Sequence, residues 1–304
     1  MSNLLFKLRY RKRIVTLSIS NLNVAIKMFE KPLRSVLKIM LGKYPVTIRY
    51  RDGNTFTSYD PFKFFDEIRS KIDFTYEGTL FDQKVKLIHA ERGEVKEVFE
   101  SRSYSILPVK DEIVIDIGAN IGDSCIYFAL SGAKHVYAFE IVPSTFEICR
   151  ENIKINNLES KITVMNVGIG KKGFVSFPRN FNADGSFTVS EQVNGEIEVE
   201  VKSLSDVLDE LRISSAVMKI DCEGCEYRVF IPEEAHALKK VRYITGEFHY
   251  GYRQIESVLT EIGFIFSHSK EEPFISQLQS SENPYFLTGL FTATKKDTRI
   301  YGEN

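Results

Sequence analysis

The chain has 304 residues, of which 43% are hydrophobic and 27% are charged, enough for one large or two modest globular domains. Lysine and arginine total 40 against 41 acidic residues, which gives a formal net charge of −1. This balance excludes a global electrostatic case for nucleic-acid binding, so any contact with a polyanion must be local.

The N-terminus carries a basic cluster, which consists of Lys7, Arg9, Arg11, Lys12 and Arg13. Two interpretations stay open: a solvated, partly frayed terminus, or a peripheral contact with anionic membrane lipids or another anionic partner. No apolar stretch approaches the ~20 residues that a transmembrane helix needs, and no signal-peptide core follows the cluster. We therefore expect a cytoplasmic protein.

The region before residue 106 is a mixture of helical and β-type patterns. The predicted elements are short helices from residue 21 and from 33 to 42, a hairpin over 46–59, a helix over 61–72, strand-like segments over 79–89 and a helix over 94–103. These elements predict a smaller α+β accessory region at residues 1–105.

From residue 106 onward, strands, glycine turns and helices alternate, as is typical of a parallel sheet covered by helices. The predicted elements are strand 113–117, helix 124–131, strand 135–139, helix 143–156, strands 162–166, 174–177 and 196–202, helix 204–210, strands 217–221 and 241–247, helix 252–262, and strands 264–267 and 285–293. The last two strands suggest a terminal hairpin. We expect an α/β fold over 106–304 with a Rossmann-like sheet, mostly parallel, and one antiparallel strand near the C-terminus.

A glycine turn follows the first of these strands, in the segment 116–123. Gly118 and Gly122 allow a sharp turn and a close approach to a ligand at the start of a helix. A dinucleotide site would need the pattern G-x-G-x-x-G, but the second and third glycines are replaced by Asn120 and Asp123. The turn therefore favours a nucleoside-like ligand without phosphates. The next strand ends in Glu140, which can accept both hydrogen bonds of a ribose diol.

Two later strands end in further groups that can bind or transfer protons. Asp221, Glu223 and Glu226 follow one strand, and Glu247 and His249 stand at the end of the next. Ligands of open α/β sheets lie at the carboxyl ends of the strands, so these side chains should point toward the glycine turn. Glu226 has a second interpretation as an acid in the first turn of a helix.

The four cysteines, Cys125, Cys149, Cys222 and Cys225, are too few for a disulfide framework, which fits a reducing compartment. Cys222 and Cys225 have C-x-x-C spacing, but no second pair of ligands lies nearby to complete a zinc site. We expect no metal there.

Five spaced motifs occur in order: V-I-D-I-G-A-N-I-G-D, A-F-E-I-V-P-S, E-N-I-K-I-N-N-L, M-K-I-D-C-E-G-C-E-Y and G-E-F-H. The series resembles FkbM-type methyltransferases of the class I S-adenosylmethionine-dependent superfamily, over about residues 103–293. The resemblance implies cofactor contacts by Asp116 and by Gly118, Asn120 and Gly122 with methionine, Glu140 with ribose, Asn166 with adenine and Asp221 near the methyl group. Cys222 and Cys225 depart from the small or apolar residues that this family usually has.

The same resemblance implies O-methylation of a hydroxyl on a sugar, glycolipid or other small molecule. His249, Glu247, Asp221 or Glu223 could remove the hydroxyl proton, or the acids could hold a divalent cation that lowers its pKa. A resident metal is possible but not predicted. Methylation of a nucleic-acid base lacks the Asp/Asn-Pro-Pro-aromatic motif at Asp221, and an NAD-dependent oxidoreductase lacks its glycine pattern. A catalytically inactive nucleoside-binding protein is the remaining alternative.

Overall fold

The computed structural model describes residues 6–10, 13–17, 29–31, 34–35, 37–38, 41, 43–51, 53, 55–59, 75–90, 95–179, 195–274 and 286–295. The chain divides into two compact units, residues Met1–Asp73 and Phe74–Asn304. No helix of these described segments is long and apolar enough to cross a membrane.

The first unit contains two antiparallel strand pairs. They are β1 (Phe6–Tyr10) with β2 (Arg13–Leu17), and β3 (Val46–Arg49) with β4 (Thr55–Ser58). The predicted hairpin over 46–59 is confirmed. Three residues of the basic cluster lie in this paired backbone, Lys7 and Arg9 in β1 and Arg13 in β2, whereas Arg11 and Lys12 lie outside the described residues. Its side chains lie outside the described residues, and its membrane contact stays a prediction.

Most of the helical predictions in the first unit fall outside the described residues, including the helix over 61–72. Residues 34–35 and 37–38 are helical, in agreement with the second predicted helix. Phe29, which we assigned to the first helix, instead forms an isolated antiparallel bridge with Tyr50. The aromatic rings of these two residues pack edge to face at 5.4 Å.

The second unit begins earlier than the sequence predicted. The hairpin of β5 (Tyr76–Leu80) and β6 (Gln83–Leu87) and a π-helical turn (Lys96–Glu100) belong to it, although we assigned them to the accessory region. The reason is a set of polar and apolar contacts with later elements. Asn152 and Asn156 each exchange hydrogen bonds with the backbone of β6 or the residue after it. The boundary therefore lies after Asp73, not after residue 105.

The main sheet of the second unit runs in the order β15-β17-β14-β13-β7-β8-β9, with β16 paired to β17. The strands are β7 (Ile113–Ile117), β8 (His135–Phe139), β9 (Ile162–Met165), β13 (Ala216–Ile220), β14 (Val241–Phe248), β15 (Phe264–His268), β16 (Glu272–Phe274) and β17 (Phe286–Lys295). Neighbours from β9 to β14 are parallel, and β17 is antiparallel to β14 and β15. The predicted Rossmann-like sheet with one antiparallel strand near the C-terminus is confirmed.

Helices cover both faces of this sheet. They are α1 (Asp123–Leu130), α2 (Pro143–Ile155), α3 (Leu204–Glu210), α4 (Glu226–Val229), α5 (Ala235–Leu238) and α6 (Arg253–Glu261), with a 3₁₀ turn at Pro232–Glu234. Apolar residues of α1 and α2 pack with the β5–β6 hairpin against one face, and residues of α3 to α6 pack against the other. Successive strand residues such as Val114 and Ile115 belong to opposite clusters, as the alternation of a strand requires.

A small second sheet lies between β9 and α3. Its strands are β10 (Gly168–Ile169), β11 (Gly173–Phe177) and β12 (Ile197–Lys202), in the order β10-β12-β11. The sequence predicted β11 and β12 but not β10, which has only two residues.

The strand order creates a topological switch point at β7. The chain runs from β7 outward through β8 to β9, and then returns to β13 on the other side of β7. The chain therefore leaves the carboxyl ends of β7 and β13 toward helices on opposite faces of the sheet. This arrangement creates a crevice at the carboxyl ends of the two strands, the place where ligands bind in open α/β sheets.

Candidate active site

The glycine turn after β7 is held tightly against the loop after β13. Gly118 has a φ of +79°, and a Cβ atom at this position would lie 1.8 Å from the backbone oxygen of Asp221. Both the conformation and the space therefore require glycine. The N–H groups of Gly118 and Ala119 donate to the carbonyl oxygen of Phe139, at the end of β8. The turn is thus fixed to both neighbouring strands.

Glu140 fixes the next part of the same turn. Its carboxylate accepts the N–H of Asn120 at 2.8 Å and the N–H of Val142 at 2.8 Å. Asn120 is held in the left-handed region, with a φ of +47°. Burial raises the pKa of Glu140 above its ordinary value, although the two backbone hydrogen bonds oppose that shift. Each carboxylate oxygen keeps acceptor capacity for a ribose hydroxyl, so the predicted role and the observed one are compatible.

Asn166 and Gly122 are less directly placed for a ligand. The Asn166 amide nitrogen donates to the carbonyl oxygens of Glu140 and Ile141, so this side chain fixes the end of β8. Gly122 precedes the first residue of α1, with a φ of +93°. A Cβ atom there would lie 2.9 Å from the sulfur of Cys149, which explains the need for glycine at this close contact.

Asp116 does not reach the crevice, which corrects its expected direct contact with the cofactor. Its side chain is fully buried on β7, beside its register partner Lys219 on β13. Ser124 donates to one carboxylate oxygen at 2.6 Å, and the Lys219 ammonium lies 3.4 Å from the other. Lys219 in turn donates to the carbonyl oxygen of Gly118 at 2.6 Å. Asp116 therefore supports the glycine turn through Lys219.

The Lys219 side chain carries its charge although it is buried. Burial alone lowers the pKa of an ammonium group, but the carboxylates of Asp116 and Asp221 raise it far above its ordinary value. The sequence analysis missed this residue. The available signal was a lysine inside an otherwise apolar strand, since a buried charge requires a partner.

Carboxylates and an imidazole converge at the carboxyl ends of β13 and β14. One ligand atom from each of Asp221, Glu247 and His249 lies within 4.8 Å of the others. The Nε2 atom of His249 is 3.2 Å from Glu223 and 3.9 Å from Asp221. All four residues that we predicted as catalytic candidates are therefore together. We call this group the carboxylate cluster: Asp221, Glu223, Glu247 and His249.

Glu226 contacts the carboxylate cluster through His249 and through the backbone of the loop after β13. It is fully buried at the start of α4, and it accepts hydrogen bonds from the N–H groups of Cys222 and Gly224. Its carboxylate also lies 3.1 Å from Nδ1 of His249. Glu226 is thus more than an acid in the first turn of a helix, because it closes the loop after β13 and orients the imidazole.

The electrostatic environment determines the protonation states of Glu247 and His249. Burial lowers the pKa of His249, but the hydrogen bond to Glu226 and the charges of Glu226, Glu223 and Asp221 raise it to about 10. Burial and the charge of Asp221 raise the pKa of Glu247 to about 7. The group that titrates in the neutral range is therefore Glu247, and not His249, although an imidazole ordinarily has a pKa near neutrality.

Two residues from the segment before β7 also reach this edge. The Tyr104 hydroxyl donates to Asp221 at 3.2 Å, and Lys219 lies over the Tyr104 ring at 5.5 Å. Burial and the charge of Asp221 raise the pKa of Glu97, which places this carboxyl within the influence of the cluster. Neither residue was predicted, because no motif marks them and their segment was assigned to the accessory region.

The loop between Asp221 and Glu226 contains a disulfide between Cys222 and Cys225, with Cα atoms 5.5 Å apart. The sequence analysis expected no disulfide framework and did not predict this bridge. Cys125 and Cys149 are buried free thiols. The C-x-x-C spacing of Cys222 and Cys225 therefore corresponds to a bridge between the two residues.

Residues 116–270 match the family model described as the methyltransferase FkbM domain, which is just over half of the 304 residues. The chain belongs to the FkbM methyltransferase family. The matched segment is thus a methyltransferase domain, in agreement with the resemblance of its motifs.

Shorter similarities link this FkbM-family chain to other methyltransferases. Ribosomal protein L11 methyltransferase of Carboxydothermus hydrogenoformans is 46% identical over 54 residues, 18% of each chain. Protein arginine N-methyltransferase 1 of Oryza sativa subsp. indica is 36% identical over 84 residues, 26% of this chain and 21% of that protein. The chain thus matches about a fifth of the length of these relatives. A solved putative RNA methyltransferase from Pyrococcus horikoshii is 14% identical, with a TM-score of 0.40 over 67% of this chain and 83% of that one.

The residues at the switch point fit S-adenosylmethionine by their chemistry. The Glu140 carboxylate ends β8 beside the glycine turn, where a ribose diol needs an acceptor. Asp221 and Glu223 are partly exposed carboxylates beside that turn, and they suit the positive sulfonium. The N–H groups of Gly118, Ala119 and Asn120 are already bonded within the protein, so this FkbM-family site offers shape rather than backbone donors at those positions.

Proposed function

We propose that this methyltransferase transfers the methyl group to a hydroxyl of a sugar, a glycolipid or another small molecule. The observation that carries the proposal is the carboxylate cluster at the switch point. Asp221 and Glu223 keep about a quarter of their side chains exposed, at 24% and 28%. Carboxylates accept hydrogen bonds from hydroxyl groups and repel phosphates. A neutral polyhydroxyl acceptor therefore fits beside these exposed carboxylates better than a nucleic acid.

Glu247 is the group that best meets the requirements of a general base. With a pKa of about 7, it is half ionised near neutral pH, where a base and its conjugate acid are both available. Among the residues that the structure describes, no group hydrogen-bonds its carboxyl. Bound S-adenosylmethionine supplies a methyl group that is activated by the positive sulfur. Glu247 accepts the hydroxyl proton as the acceptor oxygen takes the methyl group.

In this mechanism His249 and Asp221 act by charge and position. His249 is protonated at neutral pH. Its positive charge lowers the pKa of Glu247, so a larger fraction of this carboxyl is ionised at neutral pH than without the imidazolium. Asp221 places a negative charge at the crevice, and this charge favours binding of the cationic donor over its neutral product. Glu223 contacts His249 and holds the imidazolium at the cluster.

A second candidate acceptor is a basic protein side chain. Several carboxylates meet here, and a guanidinium or ammonium group pairs well with carboxylates. The names of the relatives with short matches include protein arginine N-methyltransferase and ribosomal protein L11 methyltransferase. On this alternative the same Glu247 would accept a proton from nitrogen instead of oxygen.

The acceptor class can be tested by incubating the protein with methyl-deuterated S-adenosylmethionine and separate pools of extracted glycans, lipids and proteins. We expect the isotopic label, followed by mass spectrometry, in hydroxyl-bearing glycans or lipids. Label on arginine or lysine side chains alone would replace O-methylation with the second candidate. Label in none of the pools, together with intact donor binding, would favour an inactive nucleoside-binding protein.

A further inference from the structure

The segment between the π-helical turn and β7 lies before residue 116, where the match to the family model begins. It is nevertheless part of the second unit and is well packed. Tyr104 is buried, and its ring packs against Phe128 of α1 at 5.9 Å. A turn follows, closed by the hydrogen bond from the N–H of Leu107 to the carbonyl oxygen of Tyr104. The backbone and the ring of Tyr104 are therefore both fixed.

The Tyr104 hydroxyl and the His249 imidazole lie near different oxygens of the Asp221 carboxylate. The hydroxyl donates to Oδ2 of Asp221 at 3.2 Å, whereas Nε2 of His249 lies 3.9 Å from Oδ1. The Asp221 side chain extends from the loop after β13, and these two contacts lie on the two oxygens of its carboxylate. Without the hydroxyl, one oxygen would lose a donor that defines the direction of the carboxylate.

Tyr104 serves as a neutral donor. Burial raises the pKa of its hydroxyl well above the ordinary value, and the charge of Asp221 raises it further, so the proton stays on the oxygen. The Lys219 ammonium over its ring neutralises part of the negative potential around the pair. Tyr104 can therefore direct the charge of Asp221 without cancelling it, whereas a cation at the same place would.

We propose that Tyr104 is a positioning residue that holds the Asp221 carboxylate toward the donor sulfur and thereby sets the preference for the cationic donor over the neutral product. The inference rests on the proposed function, which places Asp221 beside the sulfonium. S-adenosylmethionine and S-adenosylhomocysteine differ there by a methyl group and a positive charge. An Asp221 carboxylate that is held toward the sulfur favours the charged ligand over the neutral one. A carboxylate that is free to rotate does so less strongly.

The test is isothermal titration of both ligands with the wild type and with Tyr104→Phe, which removes only the hydroxyl. We expect the Kd for S-adenosylmethionine to rise about 3- to 10-fold, the fold-change that corresponds to a typical hydrogen bond, and the Kd for S-adenosylhomocysteine to change less than about 2-fold. The matched control is Tyr127→Phe. Tyr127 is buried in the same aromatic cluster, 5.9 Å from Phe128. Its hydroxyl forms no hydrogen bond among the described residues, so its ratio of affinities should stay at the wild-type value.

A second pair of variants separates positioning from packing. If Tyr104 acts through Asp221, Tyr104→Phe should have no further effect on the ratio in an Asp221→Asn background. Equal weakening of both ligands by Tyr104→Phe, or an effect that persists with Asp221→Asn, would overturn the inference. If Asp221→Asn alone leaves the ratio unchanged, the charge role of Asp221 fails as well. If Asp221→Asn lowers the ratio and Tyr104→Phe does not, only the role of Tyr104 fails.

Discussion

Glu247 is the residue whose ionisation should control turnover. Because its pKa is about 7 and the ionised form accepts the proton, turnover should rise as the pH increases through neutrality. Glu247→Gln should lower kcat by ~10²–10⁴-fold, the range for loss of a general base, and should remove this limb of the profile. Donor affinity should change little. The measurement is kcat from about pH 5 to about pH 9, with donor binding followed by titration calorimetry.

His249→Gln is the control for this assignment. His249 is protonated until about pH 10, so it contributes no limb near pH 7. Its positive charge lowers the pKa of Glu247, and the variant should therefore keep the limb but shift it to higher pH. A limb that disappears with His249→Gln and persists with Glu247→Gln would restore His249 as the base. Activity lost with EDTA and recovered with Mg²⁺ would instead assign Asp221, Glu247 and His249 to a metal ion.

Glu140 has two tasks, and its variants should separate them. Glu140→Ala should weaken binding of S-adenosylmethionine by ~1–3 kcal/mol, because the ribose loses a charged acceptor and the N–H of Asn120 loses its partner. Glu140→Gln keeps the size but loses the charge, and it should weaken binding less. The exposed Glu159→Gln provides the control. Titration calorimetry on the three variants measures the difference, and unchanged affinity in Glu140→Ala would refute a role at the ribose.

At the scale of single residues, the sequence predicted which side chains would meet but not how they are protonated. Asp221, Glu223, Glu247 and His249 end neighbouring strands, so their meeting followed from the strand order alone. The pKa of His249 could not be predicted, because it depends on Glu226, whose buried position is set by packing. The predicted cofactor contact of Asp116 also depended on packing, because this side chain is fully buried on β7 beside Lys219.

The elements of the second unit were predictable where their pattern is long and regular. The bounds of β7, β8 and α3 agree with the sequence prediction, since β7 and β8 are mainly apolar runs and α3 has apolar residues at helical spacing after the capping residue Ser203. The helices α4 and α5 have four residues each; α5 was not predicted, and α4 entered only as the second interpretation of Glu226. One helical turn carries too little periodicity to be recognised, and tertiary contacts decide its existence.

The loop between β13 and α4 is the element that the disulfide constrains. Reduction of a bridge that closes a four-residue loop should lower the free energy of unfolding by about 2 kcal/mol, from the chain-entropy relation. Urea unfolding of the wild type with and without dithiothreitol measures this change in midpoint. The Cys222→Ser/Cys225→Ser double variant should be insensitive to the reductant, although it retains the free thiols Cys125 and Cys149. An equal response of both proteins would mean that the bridge contributes nothing.

At the scale of the whole molecule, the described residues of the candidate site all belong to the second unit, residues Phe74–Asn304. The accessory region predicted over 1–105 would have separated Tyr104 and Glu97 from the cluster they adjoin. Its composition gave no reason to divide it at Asp73. The division follows instead from long-range contacts, such as those of Asn152 with the backbone of Ile88, which no local pattern reveals.

Two fragments should therefore behave differently. Residues 74–304 should unfold cooperatively and show a thermal shift with S-adenosylmethionine but not with NAD, since ligand binding stabilises the folded state by mass action. At a ligand concentration of 100 times Kd the shift corresponds to about 2.7 kcal/mol. Residues 106–304 should not unfold cooperatively. The buried apolar side chains of the core that this fragment lacks include Leu80, Val85, Leu87, Val98, Phe99 and Tyr104.

The expected failure of the shorter fragment follows from the size of this loss. Each side chain of this kind contributes roughly 1.5–3 kcal/mol when buried. Six of them are therefore comparable to the entire stability of a domain, about 5–15 kcal/mol. Calorimetry and the thermal shift of both fragments provide the measurement, with the full chain as reference. A cooperative, ligand-responsive 106–304 fragment would place the boundary where the sequence predicted it.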